Sequence, residues 1–222
     1  MTLEDRNGGL LLFSGGRDST LAAVRMATSS KRLVLVTITS DHLYGLESVE
    51  KRLAELARIL PIETEWLNVA QPTNLLTNTD FYAPTCLPCH HAYVAVGASL
   101  ARAEEIETIG FGYVQYQNSW PEQTPEATIR LKDVLAEMDL QLTLPVYGLA
   151  SRADATTELE KHGLSPLSLE QKCSRQVNNI ALAPDVLERE LEKWEAAIRA
   201  TLKAIDRLSI VIKHRARLSD FL

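Results

Sequence analysis

The sequence predicts an α/β fold in which helices cover both faces of a mainly parallel sheet. Strand and helix patterns alternate from the first apolar stretch, with a strand at residues 10–13 and a helix at 19–28. "KRLVLVTITSD" is typical of a strand, "GLESVEKRLAELARIL" of an amphipathic helix, and "IETEWLNV" of a further strand. Because neighbouring parallel strands are joined by crossover helices, this order indicates βαβ units.

The same alternation continues through the rest of the chain. A helix beginning at "CLPC", a strand "ETIGFGY", a helix over 124–138 and a short strand "LQLTLPVYG" follow in order. Ser151 and Gly163 are suited to begin and end another helix. From Pro184 to about Arg217 the pattern predicts a long charged amphipathic helix, with a break near Ser209 as the alternative. We therefore predict a domain over residues 1–183 and a helical extension over 184–222, which packs on the domain or forms a homo-oligomer.

Composition narrows the functional class. The chain has 222 residues and a net charge of -6, which argues against a surface that wraps nucleic acid through unspecific phosphate contacts. The first residues, "MTLEDRNGG", do not resemble an export signal, and no apolar stretch reaches the ~20 residues of a membrane helix. We expect a cytoplasmic protein with no membrane contact.

The stretch "LLLFSGGRDSTLAAVRM" joins the first strand to the first helix. In parallel sheets, ligands bind where strands end, and a helix that starts there offers free N–H groups and a partial positive charge. The two glycines let the backbone approach an anion closely. The stretch predicts a phosphate cradle, the alternative being a tight turn without a ligand.

This loop resembles that of the PP-loop ATP pyrophosphatases, whose S-G-G-x-D-S motif is filled in full by residues 14–19. The resemblance implies a Rossmann-like (HUP-type) fold, ATP with its β- and γ-phosphates on the loop, and attack on the α-phosphorus that releases pyrophosphate. It implies catalytic roles for Ser14, Asp18 and Ser19, and Asp18 is suited either to orient the loop or to help hold Mg²⁺. The implied nucleotide-binding residues are Ser14, Gly15, Gly16, Arg17, Asp18, Ser19, Thr37, Thr39, Gly110 and Gly112.

Longer segments resemble 7-cyano-7-deazaguanine (preQ0) synthase within that superfamily. They are "SDHLYG", the block "IGFGYVQYQNSWPEQTPEATIRL", and "LPVYGLASRADATTELEKHGLSPLSLEQKC". The resemblance implies a ligase that adenylates a carbonyl or carboxylate oxygen of a small deazapurine-like heterocycle, after which a nitrogen or sulfur nucleophile displaces AMP. The chain departs from the family at Gln115, where an acidic residue is expected, and near the C-terminus, where only Cys173 remains of four zinc cysteines.

The three cysteines favour a rival function. Cys86-x-x-Cys89 at the start of a helix, with a distant Cys173, resembles the tRNA thiolases, in which three thiolates hold a [4Fe–4S] cluster. His90 or His91 would instead complete a Cys₃His zinc site. The remaining reading is that the first two cysteines only begin a helix and the third is buried.

The thiolase resemblance implies an iron–sulfur-dependent sulfurtransferase acting on a tRNA base. A third hypothesis, kept open by Gln115, is a nucleotide-binding subunit without turnover, and a fourth is a protein partner as acceptor. A basic string that could contact tRNA is expected at a helix end and comprises Lys213, His214, Arg215 and Arg217. Further candidates for acceptor or phosphate contacts are Tyr116, Trp120, Glu122, Gln123, Glu126, Arg152, Lys172 and Arg175.

Overall fold

A six-stranded sheet forms the centre of the computed structural model, which describes residues 8–60, 63–72, 74–75, 84–175 and 180–222. Its strands are β1 (Gly8–Leu12), β2 (Arg32–Thr39), β4 (Glu63–Ala70), β5 (Thr108–Phe111), β6 (Gln141–Thr143) and β8 (Ile212–Arg217), in the order β6-β5-β1-β2-β4-β8. All neighbours are parallel except β8, which runs antiparallel to β4. Two short strands, β3 (Leu43–Tyr44) and β7 (Lys172–Cys173), form a separate antiparallel pair.

Helices cover both faces of this sheet. They are α1 (Arg17–Ala27), α2 (Leu46–Leu56), α3 (Leu87–Ala103), α4 (Pro125–Ala136), α5 (Arg152–Lys161) and α6 (Pro184–Lys203). Short 3₁₀ segments lie at Gln115–Gln117, Pro121–Gln123, Ile205–Arg207 and Leu218–Phe221. The side chains of Thr124 and Ser151 accept hydrogen bonds from backbone N–H groups in the first turns of α4 and α5. The sequence predicts this helix start for Ser151.

Two hydrophobic cores follow from the alternation of side chains along the strands. Val34 and Val36 of β2 pack in the core with α3, α4 and α6, whereas Leu33 and Leu35 pack with α1, α2 and α5. A strand that is buried on both faces needs a continuous apolar run, which explains the composition of β2. The predicted α/β fold with a mainly parallel sheet and helices on both faces is confirmed.

The C-terminal region differs from the prediction. The long helix predicted from Pro184 to Arg217 ends at Lys203, and Ile212–Arg217 instead forms β8 at the edge of the sheet. β-Branched Val211 and Ile212 favour a strand, and hydrogen bonding to the open edge of β4 stabilises one here. The basic string therefore lies on an edge strand, not on a helix end. No described helix is both long enough and apolar enough to span a membrane.

Candidate nucleotide-binding site

The loop between β1 and α1 has the geometry of an anion cradle. The hydroxyl oxygens of Ser14 and Ser19 lie 3.1 Å apart. The Gly16 amide donates to the Ser14 hydroxyl at 3.2 Å, and the Ser14 amide donates to the Ser19 hydroxyl at 3.3 Å. Gly16 begins the helix without a side-chain cap, so the first N–H groups of α1 stay available for an anion.

Two glycines allow the close packing around this loop. Gly15 has φ of 80°, a conformation that strains other residues, and a Cβ there would lie 2.7 Å from the Leu169 carbonyl oxygen. A Cβ on Gly112, just past β5, would lie 2.7 Å from both the amide nitrogen and the Cα of Ser19. The end of β5 is therefore packed directly against the first turn of α1.

A segment that we call the strap, residues 165–171, covers the loop. The Arg17 guanidinium donates a hydrogen bond to the Pro166 carbonyl at 3.4 Å, and the side-chain amide of Gln171 donates to the Ile38 carbonyl at 3.0 Å. The fully buried Arg52 of α2 donates to the Ser165 carbonyl at 2.9 Å and also to the Leu167 carbonyl. The strap thus ties α2 and β2 to the top of the cradle.

A cavity of about 320 Å³ opens between the loop and the strap. Polar groups from the loop, Arg152 and Glu170 line it, together with aromatic side chains and His90. The aromatic residues that line it are Phe13, Tyr93, Phe111, Tyr113 and Trp120. The lining therefore combines polar groups suited to phosphates with aromatic side chains suited to a flat apolar group.

Asp18 lies in the first turn of α1, where its carboxylate accepts a hydrogen bond from the Tyr116 hydroxyl. Burial raises the pKa of Asp18, an effect that Tyr116 and Arg17 oppose and the Glu170 carboxylate reinforces. Asp18 and Glu170 both line the cavity beside the loop. Mg²⁺ is commonly held by one or two carboxylates together with phosphates of the substrate, so this donor pair fits the ion.

Three other residues that were predicted to bind the nucleotide, Thr37, Thr39 and Gly110, do not line the cavity. The Thr37 hydroxyl donates to the Phe13 carbonyl at 2.8 Å and accepts from the Trp66 indole at 2.9 Å, while the Thr39 hydroxyl donates to Asn68 at 3.0 Å. Their neighbours Val36 and Ile38 line the cavity instead. Gly110 faces Met26 of α1 inside the core. The structure therefore brings Ser14, Gly16, Arg17, Asp18, Ser19 and Gly112 to the cavity wall.

The three cysteines lie in one region beside the cavity. Cys86 precedes α3, Cys89 lies in its first turn, and Cys173 is paired with Leu43 in the β3–β7 ladder. Burial, Glu122 and the other two cysteines raise the pKa of Cys86 to about 12. Burial also raises the pKa of Cys89, with a smaller contribution from Cys173. The sequence could not show this proximity, because 83 residues separate Cys89 from Cys173 in the numbering, leaving their meeting to the tertiary fold.

The histidines expected to join the cysteines lie elsewhere. The His90 Nδ1 is 2.6 Å from the Tyr113 hydroxyl, and the His91 Nε2 is 2.8 Å from the Thr201 hydroxyl. His42 is the ring beside the thiols, with Nε2 3.7 Å from the Cys89 sulfur. Within the described ranges, no three His, Cys, Asp or Glu side chains are arranged to hold a metal ion. The thiols suit a metal chemically but not in this arrangement, and ligation by Cys86, Cys89 and Cys173 stays a prediction.

Sequence reasoning missed His42 and Glu170. His42 lies in the predicted turn "SDHLYG", and Glu170 lies in a polar segment without regular periodicity. Neither has a local signal, because each reaches the site through a tertiary contact: His42 through the β3–β7 pair and Glu170 through the strap. Arg152 and Trp120, which were among the candidates, do line the cavity.

Comparisons with known proteins agree with this architecture. A 4-thiouridine synthetase, solved in complex with RNA and with bound ATP, matches with a TM-score of 0.62 and 15% identity over 93% of this chain. The U34-tRNA thiolase NcsA from Methanococcus maripaludis, solved with its [4Fe–4S] cluster, matches with a TM-score of 0.51 and 12% identity, covering 91% of this chain and 72% of NcsA. Both matches are likenesses of fold, since fewer than one residue in six is identical.

The chain spans 55% of the length of the 4-thiouridine synthetase. A predicted subunit of a tRNA methyltransferase from Methanocaldococcus jannaschii DSM also matches, with a TM-score of 0.46 and 16% identity over 75% of this chain and 96% of its own. No protein-family model and no curated protein matches the sequence.

Proposed function

We propose that this protein is an ATP-dependent PP-loop enzyme that transfers AMP to an oxygen atom of its acceptor and releases pyrophosphate. The observation that carries this proposal is the loop at residues 14–19, which opens at the end of β1 into a cavity lined by both polar and aromatic side chains. The loop is suited to the phosphates of ATP, and the aromatic side chains are suited to the acceptor. A nucleophile then displaces AMP from the adenylated acceptor.

Each part of the loop has a defined role in this reaction. The hydroxyls of Ser14 and Ser19 and the first amides of α1 stabilise the negative charge that grows on the leaving pyrophosphate. Asp18 and Glu170 would hold Mg²⁺, which supplies charge neutralisation on the phosphates when it is bound. Arg152, at the start of α5 and on the cavity wall, adds a positive charge near Asp18.

The acceptor is inferred from the aromatic part of the cavity lining. Tyr93, Phe111, Tyr113 and Trp120 line the cavity, and Gln117 and Gln123 add amide groups. Aromatic side chains with a few polar groups are suited to a planar heterocycle with hydrogen-bonding edges. We therefore propose a small deazapurine-like carboxylic acid or carbonyl compound as acceptor, as in preQ0 synthase.

Asp18→Asn tests the proposal. We expect pyrophosphate release from ATP and a deazapurine carboxylic acid to fall by about a hundredfold, because the variant loses the carboxylate that holds Mg²⁺. The measurement is a coupled pyrophosphate assay across a panel of such acids, with the exposed Asp133→Asn as control. Absence of pyrophosphate release by the wild-type protein with every acceptor would instead favour a nucleotide-binding subunit without turnover.

A second candidate function is sulfur transfer to a tRNA base. It is supported by the position of the three cysteines beside the cavity and by the likeness to two thiolase structures. In this case the thiols would hold a [4Fe–4S] cluster, and the acceptor would be tRNA. The basic side chains of the edge strand β8 would contact the tRNA phosphates, although Arg215 is already paired with Glu65 and Glu104.

Metal analysis of protein purified without oxygen separates the two candidates. Sulfur transfer predicts about four irons per chain and visible absorbance. The carboxylate-adenylating function predicts one zinc or no metal. The control is a protein with Cys86, Cys89 and Cys173 all replaced by serine, which should lose any metal that these thiols bind.

A further inference from the structure

Glu170 of the strap lies directly against the loop at residues 14–19. A Cβ built on Gly16 would touch a carboxylate oxygen of Glu170 and would lie 3.5 Å from its carboxyl carbon. The same point is 3.2 Å from the Ser14 hydroxyl oxygen, one of the groups proposed to bind the pyrophosphate part of ATP. A carboxylate therefore already lies beside the groups that would bind an anion.

The strap holds Glu170 in this position from both sides. The Leu169 carbonyl oxygen would be 2.7 Å from a Cβ on Gly15, so the backbone of the strap rests on the loop. On the other side, the Gln171 side-chain amide donates to the Ile38 carbonyl of β2 at 3.0 Å. Because both neighbours of Glu170 are held, its carboxylate is directed to the loop by the path of the chain.

The Glu170 side chain brings a negative charge to the loop. It is 41% exposed, and a carboxylate in contact with water carries its charge near pH 7. Its ion-pair partner in the described part of the chain is Lys172, at 3.9 Å and itself 57% exposed, and such pairs contribute little. Arg17 and Arg152 line the same cavity and attract an anion. Glu170 opposes them beside Gly16, where the repulsion between like charges is strongest because the distance is shortest.

We propose that Glu170 is a specificity-determining residue, which excludes from the loop phosphate groups that carry no divalent cation. The carboxylate and the phosphates share a divalent cation when one is bound and repel each other when none is. The inference rests on the proposed adenylation reaction and adds to it a selection for ATP that already carries Mg²⁺. It also gives Glu170 a role after the reaction, because pyrophosphate that has lost its cation is repelled from the loop.

Pyrophosphate binding without divalent cations tests this exclusion. Titration calorimetry in the presence of EDTA compares the wild-type protein with Glu170→Gln, which keeps the size of the side chain and removes its charge. We expect the variant to bind pyrophosphate at least about tenfold more tightly. The control is Glu160→Gln, which removes an exposed carboxylate from α5 and should bind as the wild-type protein does. Equal results for the wild type and Glu170→Gln, including no binding by either, overturn the proposal.

Two further titrations separate the charge of Glu170 from its bulk. With Mg²⁺ present, the advantage of Glu170→Gln should disappear, because the carboxylate then helps to hold the ion. Adenosine carries no phosphate, so the wild-type protein and the variant should give the same result with it. An advantage of the same size with Mg²⁺ or with adenosine would show that the variant opens the strap, and would overturn the exclusion by charge.

The outcome for Glu170 is distinguishable from the outcome for the proposed function. If Glu170→Gln gains pyrophosphate affinity but no acceptor causes pyrophosphate release from ATP, the adenylation function fails while the exclusion stands. If pyrophosphate is released with an acceptor but the variant shows no gain, the exclusion fails while the adenylation function stands.

Discussion

Replacing Gly112 with alanine is expected to weaken ATP binding by tenfold or more and to lower the free energy of unfolding by roughly 2 kcal/mol. A Cβ at this position would lie 2.7 Å from the Ser19 amide nitrogen and Cα, so β5 and the first turn of α1 would have to separate. Because these atoms belong to the backbone, no side-chain rotation can relieve the contact. Calorimetric titration with a non-hydrolysable ATP analogue and urea unfolding measure the two effects.

Gly148→Ala is the matched control for this change. No heavy atom lies within 4 Å of a Cβ built on Gly148, so the same added methyl group meets open space. This variant should bind the analogue and unfold as the wild-type protein does. Comparable losses in both variants would show that the packing of β5 on α1 does not shape the cradle.

Replacing Arg52 with methionine is expected to destabilise the protein by about 3 kcal/mol and to loosen the strap. The guanidinium is fully buried, pairs with Glu55 and donates to the carbonyl oxygens of Ser165 and Leu167. Methionine keeps most of the alkyl packing but leaves these carbonyl groups unpaired. Urea unfolding measures the loss of stability, and limited proteolysis near residues 165–171 reports on the strap.

Arg58→Met separates this effect from a general loss of positive charge. Arg58 is exposed just beyond the end of α2, so its replacement should change the free energy of unfolding by less than about 0.5 kcal/mol. If the two variants were equally stable, the hydrogen bonds from Arg52 to the strap would contribute little.

The sequence was most informative where local pattern and burial agree. The alternating strands and helices around the loop at residues 14–19 were predictable because each strand is buried on both faces and each helix shows one apolar stripe. Strand β8 could not be predicted in this way, because Ile212–Arg217 is largely exposed and its basic side chains hide any alternation of apolar and polar residues. Pairing with the open edge of β4 stabilises it as a strand.

The candidate site shows the same division. The loop at residues 14–19 could be located in the sequence because its residues occupy six consecutive positions, which a motif records, and its binding of phosphate stays a prediction. Sequence reasoning could not predict the contributions of Glu170, His42 and Arg52. Each depends on the path of the strap or on the β3–β7 pair. Thr37 was predicted to bind the nucleotide. Its hydroxyl donates to the Phe13 carbonyl and accepts from the Trp66 indole, and its role in nucleotide binding stays a prediction.

The antiparallel edge strand also constrains the order in which this chain can fold. Trp66 of β4 is covered by His214 and Phe221, which come from the last ten residues of the 222-residue chain. β1, β2 and β4 can pair as soon as the first third of the chain has left the ribosome, but the outer edge of β4 then has no partner. That edge stays open to other chains until residues 212–217 have been synthesised and pair with it.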